Sequence, residues 1–198
     1  MQCVGRKEID RGFERLVMKI YFCGSIRAGR SDAPLYRAII EKLGTYGKVL
    51  TEHIGLDQPW NAAHLSDFAS GQGDINKDKR IFETDLDWLH SADDTSAVEQ
   101  KTIIELGTLK TANTFSLITV VVAECTVPSL GVGFELGVAW KLNLPTLILY
   151  RPNDAQVAGL SAMVRGVPSD KWKIVEYKEV NELDGNFAIF FEQHNSSS

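Results

Sequence analysis

The sequence predicts a doubly wound, Rossmann-like parallel α/β sheet with helices on both faces, in a single domain, and three observations lead there. Short apolar runs alternate with helical stretches, at 19–23, 48–51, 120–123, 146–150 and 173–177. The run from Val120 to Ala123 is apolar without a break, as a strand covered on both faces must be. At 198 residues the chain is long enough for one well-buried core, whereas two domains would be cramped.

In order along the chain, residues 1–18 mix Arg, Lys, Glu and Asp with no apolar core of secretory type, and are expected to be a disordered or capping extension. Lys19 to Cys23 (KIYFC) is the first strand, closed at once by Gly24-Ser25. Ser31 to Leu43 places Leu35, Ile39, Ile40 and Leu43 at helical spacing, and Gly47 punctuates the exit into a second strand at Lys48 to Thr51. Gly55 to Asp78 is polar and irregular, with Trp60 and Phe68 as isolated anchors, and suits a loop over a site. A helix resumes near Lys79, with Ile81, Leu86 and Leu89 apolar. Strands at Val120 to Ala123 and Thr146 to Tyr150 flank a helix from Gly133 to Leu142. A last strand at Lys173 to Tyr177 and helix at Val180 to Gln193 complete a domain spanning 19–193, followed by a frayed tail at 194–198. The stretch 94–119 is out of place: helix-to-strand connections in such folds usually take about 2 to 6 residues, so it is expected to be an insertion.

Composition narrows the function classes. A net charge of -5 does not suit a grip on a nucleic-acid polymer, and no apolar run approaches the roughly 20 residues of a membrane-spanning helix. Cys3, Cys23 and Cys125 have neither disulfide nor metal-site spacing, so they read as reduced thiols of a cytosolic protein, with no metal site expected.

Parallel sheets bind ligands beyond the carboxyl ends of their strands, so the residues just after each strand come first. After the first strand, Gly24, Ser25, Ile26, Arg27, Ala28, Gly29 and Arg30 form a turn whose backbone N–H groups and following helix suit an anion, with the two arginines able to fork onto phosphate oxygens. A tight turn with two solvated arginines fits the same residues. After the Val120 strand, Ser129 and a pair of glycines precede Glu135, whose ionised form a helix N-terminus would favour, leaving it able to attack a sugar carbon. A plain helix-capping acid is the other reading. Asp85 is either a second catalytic carboxylate or a solvated helical acid. Two carboxylates around an anomeric carbon are what glycoside chemistry needs, one to attack or stabilise the sugar cation and one to manage a proton. Tyr21 could point a phenol to the same edge or pack in the core, and His53 could meet a base or lie half exposed on a loop.

Taken together, YFCGSIRAGR at 21–30, LTEH at 50–53, ETDLDWL at 83–89, VVVAECTVPSLGVGFELG at 120–137 and LSAMVRG at 160–166 closely resemble the 2'-deoxynucleoside 5'-phosphate N-hydrolases, relatives of the nucleoside 2-deoxyribosyltransferases. The resemblance runs from about Lys19 to Tyr177. It implies a homodimer, free of metal and cofactor, that hydrolyses deoxynucleoside 5'-monophosphates to free base and 2-deoxyribose 5-phosphate. It further implies that Glu135 is the nucleophile, forming a glycosyl-enzyme, with Asp85 the second carboxylate and Tyr21 beside the sugar. Phosphate falls to Gly24 through Arg30 and to Ser129, with Ser161, Ala162 and Met163 of the LSAM motif reaching in from the other subunit, and His53 lies near the base. The cysteine usage points to a cytoplasmic protein, and the sequence leaves entry into the nucleus open. Two other functions compete: a deoxyribosyltransferase, disfavoured by the phosphate-binding set, and a nucleotide-binding protein without turnover. The insertion joins its strand on the side of the sheet opposite the substrate, so catalysis is expected to survive it.

Overall fold

The computed structural model describes residues 18–26, 30–56, 74–90, 102–105, 108–111, 119–152 and 159–195. Five parallel strands form one sheet: β1 (Lys19–Cys23), β2 (Lys48–Val49), β5 (Thr119–Glu124), β6 (Thr146–Tyr150) and β7 (Trp172–Glu176), in the order β2-β1-β5-β6-β7. Around it lie α1 (Ala33–Leu43), α2 (Asp74–His90), α3 (Leu130–Lys141), the short α4 (Ala162–Arg165) and α5 (Leu183–Asn195). The doubly wound expectation is met. α2 begins at Asp74, ahead of the expected Lys79, and α5 carries His194 and Asn195, which the sequence had suggested would fray.

The alternation of side chains along each strand sorts the core into two layers. Ile20, Phe22, Val120, Val122, Leu147 and Leu149 face Tyr36, Ile39 and Leu43 of α1 and Leu183, Phe187, Phe190 and Phe191 of α5. Tyr21, Cys23, Val121, Ala123 and Ile148 face the other way, onto Leu89 of α2 and Val132, Leu136 and Ala139 of α3. Every residue of β5 and β6 is buried, which explains why these strands read as unbroken apolar runs. Burying a Val, Leu, Ile or Phe side chain contributes about 1.5–3 kcal/mol, so the two layers supply the main drive to fold.

Winding starts at β1, moves outward to β2, then returns across β1 to β5 and continues to β6 and β7. The direction therefore reverses between β1 and β5, whose register pairs Lys19 with Thr119 and Cys23 with Ala123. A crevice for a ligand opens at the carboxyl ends of those two strands. Within 94–119, β3 (Thr102–Glu105) and β4 (Thr108–Thr111) pair antiparallel as a sheet of their own. The chain then enters β5 at Thr119, level with Lys19 and hence at the amino edge of the main sheet.

The turn into β2 depends on Gly47. A Cβ there would stand 2.3 Å from the carbonyl oxygen of Met18, a backbone atom that cannot swing aside. Gly47→Ala is expected to cost roughly 1–3 kcal/mol, as overpacking against a fixed neighbour does, and thermal unfolding should show a lowered midpoint. An unchanged midpoint would mean that the β1–β2 edge tolerates displacement.

Candidate active site

Two residues on one face of β1 and one on α3 meet in the crevice. Tyr21, fully buried, donates its phenolic hydrogen to Oε1 of Glu135 at 2.6 Å. Cys23, two residues along the same face, hydrogen-bonds the same carboxylate through its thiol. Burial raises the pKa of Tyr21 well above its ordinary value, and Glu135 and Asp85 push it further the same way. The phenol is therefore a permanent donor. Burial likewise raises Glu135, while the donors Tyr21 and Cys23 pull it back down.

Asp85 lies one turn before the end of α2, half-buried near this group. Burial first and the neighbouring Glu135 second raise its carboxyl from 3.8 to about 7. Two carboxylates this close cannot both ionise cheaply. The donors decide between them: Glu135 has Tyr21 and Cys23 to stabilise its charge, while Asp85 is raised by both of the influences acting on it. The surroundings therefore favour the proton on Asp85 and the charge on Glu135. An ionised nucleophile beside a protonated acid is the division of labour that a glycosidic bond requires.

The reason that the sequence offered for an ionised Glu135 does not hold. α3 starts at Leu130, so Glu135 sits in its second turn, beyond the reach of the helix terminus, and no acid occupies the first turn. The capping reading falls with it, because Ser129 is the N-cap, its Oγ accepting from the backbone N–H of Val132 at 3.5 Å. Hydrogen bonds from β1, rather than a helix dipole, hold the charge.

The phosphate turn is described at both flanks: Gly24, Ser25 and Ile26 leave β1, and the backbone of Arg30 opens a 3-10 turn that runs to Asp32 and into α1. Arg27, Ala28, Gly29 and the side chain of Arg30 lie outside the described residues. His53 is buried in a 3-10 turn after β2, with its ring centroid 6.0 Å from that of Trp88, one turn beyond Asp85 on α2. Ser129 and Ser161 line one cavity of about 600 Å³ between α3 and α4, walled by Leu136, Trp140, Met163 and Trp172. Ser161 caps α4, accepting from Met163 N at 3.3 Å, and Ala162 and Met163 are exposed, Met163 by 85%.

Some of the arrangement escaped the sequence reading. Cys23 shares the Tyr21 face by simple alternation, and Trp88 follows Asp85 at helical spacing; both signals were visible. A third group lies on the opposite face of the sheet. Glu124, fully buried at the end of β5, accepts from the hydroxyls of Thr126 and of Tyr177, the latter at 3.1 Å, and faces Arg151 just after β6. Burial raises its pKa, and Thr126, Arg151 and Tyr177 oppose that rise.

No family model matches the chain. Curated proteins do. The 5-hydroxymethyl-dUMP N-hydrolase of Rattus norvegicus is 38% identical over 189 residues, 93% of this chain and 94% of the relative. That of Danio rerio is 39% identical over 88% of this chain and 96% of its own length. A Nematostella vectensis protein, provisionally named 2'-deoxynucleoside 5'-phosphate N-hydrolase 1, is 40% identical over 86% of this chain and 92% of its own.

The raised pKa of Asp85 gives a stability test. Between pH 4 and about 7 the folded protein retains a proton that the unfolded chain has lost, so stability from this site is full at low pH and drains away as pH rises. Asp85→Asn removes the drain. It should match the wild type near pH 4 and be more stable by on the order of 1–2 kcal/mol at pH 8, a rise of a few degrees in melting temperature. An offset that stays constant with pH would show that Asp85 is not the group titrating.

Proposed function

This chain belongs to the 2'-deoxynucleoside 5'-phosphate N-hydrolase family, and on that premise we propose that it cleaves the N-glycosidic bond of 2'-deoxynucleoside 5'-monophosphates with Glu135 as nucleophile. The observation that supports the residue assignment is the Tyr21–Glu135 contact beside a protonated Asp85, at the point where the winding of the sheet reverses.

In the first step the Glu135 carboxylate attacks the anomeric carbon, the bond to the base nitrogen breaks, and Asp85 gives its proton to the departing base. In the second, water attacks the anomeric carbon, the ester to Glu135 breaks, and the proton released returns to Asp85. The products are free base and 2-deoxyribose 5-phosphate. Without a 2'-hydroxyl the sugar cation is easier to form, so a carboxylate held by two donors suffices once the phosphate fixes the sugar. Tyr21 keeps Glu135 aimed and packs against the 2'-deoxy side of the ring. His53 and Trp88 supply polar and stacking surface for the base. The relatives named for 5-hydroxymethyl-dUMP make that nucleotide the first substrate to assay.

Phosphate contacts come from Gly24 through Arg30 and from Ser129 of one subunit and Ser161 of the next. A symmetric dimer is supported by exposed large apolar residues on and around α3: Leu130 is 96% exposed, and Phe134, Trp140 and Met163 are all more than half exposed. The insertion at 94–119 enters at the amino edge of β5, away from this site, and we read it as peripheral to an otherwise single domain. We place the enzyme in the cytosol, with Cys23 and Cys125 as free thiols and no cofactor in its chemistry.

Two measurements test the assignment. Glu135→Gln should lower base release by at least about a thousandfold while nucleotide binding stays within a few fold, since only the covalent step is lost; equal loss of binding and turnover would return Glu135 to a packing role. Ser161→Ala should raise KM for a 5'-monophosphate about tenfold and leave the corresponding nucleoside unaffected, the effect of one lost phosphate hydrogen bond. Equal effects on both substrates would remove Ser161 from phosphate recognition.

A further inference from the structure

The group on the far face of the sheet has no part in the chemistry above, yet it closes on the residue that follows the phosphate turn. Asp32 is the N-cap residue of α1, where a side-chain oxygen ordinarily accepts from the first backbone N–H groups, but it makes no such bond. Its carboxylate is drawn instead to Arg151, with Oδ2 2.5 Å from Nη2. Arg151 is itself fixed from two sides. Its backbone N–H donates to Thr126 Oγ1 at 2.8 Å, and its Nε stands 3.7 Å from Oε1 of the buried Glu124. Tyr177 and Thr126 complete the shell of Glu124. The other flank of the turn is pinned too, by the Tyr36 ring, which leaves only 3.2 Å for a Cβ at Gly24, and by the Tyr36 hydroxyl, 3.5 Å from the carbonyl oxygen of Ser25.

An aspartate at a helix N-terminus opposes a bound phosphate in two ways. It occupies the same donors, and it repels the dianion. We propose that Arg151 is a positioning residue for 5'-phosphate recognition: anchored on Glu124, it holds the Asp32 carboxylate aside and neutralises it, keeping the N-terminus of α1 open to the substrate's phosphate. Arg151 need not touch the ligand, because its guanidinium is already committed to Asp32 and Glu124. This inference rests on the phosphate assignment made under the proposed function.

The test is second-site rescue, read by calorimetric binding of 2-deoxyribose 5-phosphate so that it does not depend on turnover. Arg151→Met should weaken binding about tenfold by releasing Asp32. Adding Asp32→Ala should return affinity to within about twofold of Asp32→Ala alone, a recovery that a merely structural role for Arg151 does not give. In kinetics the Arg151→Met loss should fall on KM for the 5'-monophosphate, with kcat and nucleoside turnover unchanged. Should Arg151→Met not fold, Arg151→Lys, which keeps the charge and loses the two-sided hold, should show a smaller loss with the same rescue. Unaltered binding in the folded Arg151 variant, or no rescue by Asp32→Ala, overturns the inference while leaving wild-type base release intact. Wild-type protein that neither releases base nor binds 2-deoxyribose 5-phosphate overturns the proposed function, and this inference with it.

Discussion

The short contact between Tyr21 and Glu135 is the constraint around which the site is organised. It joins a residue in the middle of the first strand to one more than a hundred positions later, in the second turn of α3. Only the return of the chain across β1 to β5 brings them together. The phenol cannot ionise in its buried setting, so it always donates, and the carboxylate it meets is the one that can afford to carry charge. Burial first and the neighbouring Glu135 second then raise the Asp85 carboxyl to about 7. The placing of the two carboxyl groups relative to β1 descends from that contact.

Strand alternation makes a second polar group possible without disturbing the first. Ala123 faces the α3 side, where a small residue adds no bulk beside the Glu135 carboxylate, and the next residue, Glu124, faces α1 and α5. One layer holds the Glu135 carboxylate and the other the Glu124 carboxylate, separated by the thickness of the sheet. A buried carboxylate is costly unless it is surrounded by donors, and Glu124 has the Thr126 hydroxyl and backbone N–H, Tyr177 and the Arg151 charge. That arrangement ties together the ends of β5, β6 and β7 and the start of α1.

Much of this was legible in the sequence, for identifiable reasons. Strands buried on both faces announce themselves as apolar runs, so Thr146 to Tyr150 was bounded correctly from composition alone. α2 starts five residues before Lys79, over Asp74 to Asp78, where a single apolar residue, Ile75, gives no helical periodicity to read. The helix-dipole reason for an ionised Glu135 fails because the helix begins at Leu130, three residues earlier than the glycines suggest, and carries the acid beyond its first turn. Arg151 follows β6 directly, in the same kind of position as Gly24 after β1. No local pattern could have paired it with Asp32, 119 positions away.

The same geometry places the point where the 94–119 segment joins β5 at the end of the strand opposite Glu135. Parallel strands separate their two ends functionally: connections entering strands gather at the amino edge, and those leaving them form the binding surface at the carboxyl edge. The 94–119 segment enters β5 at Thr119, while the residues that leave β5, from Cys125 to Glu135, build the crevice at the opposite end. Between the two lie six consecutive buried residues whose hydrogen bonds to β1 and β6 fix the register whatever precedes them. A hairpin that pairs only with itself makes no demand on that register. Loop length adds to the entropy of closure only logarithmically, so a long connection at the amino edge of β5 costs the fold little.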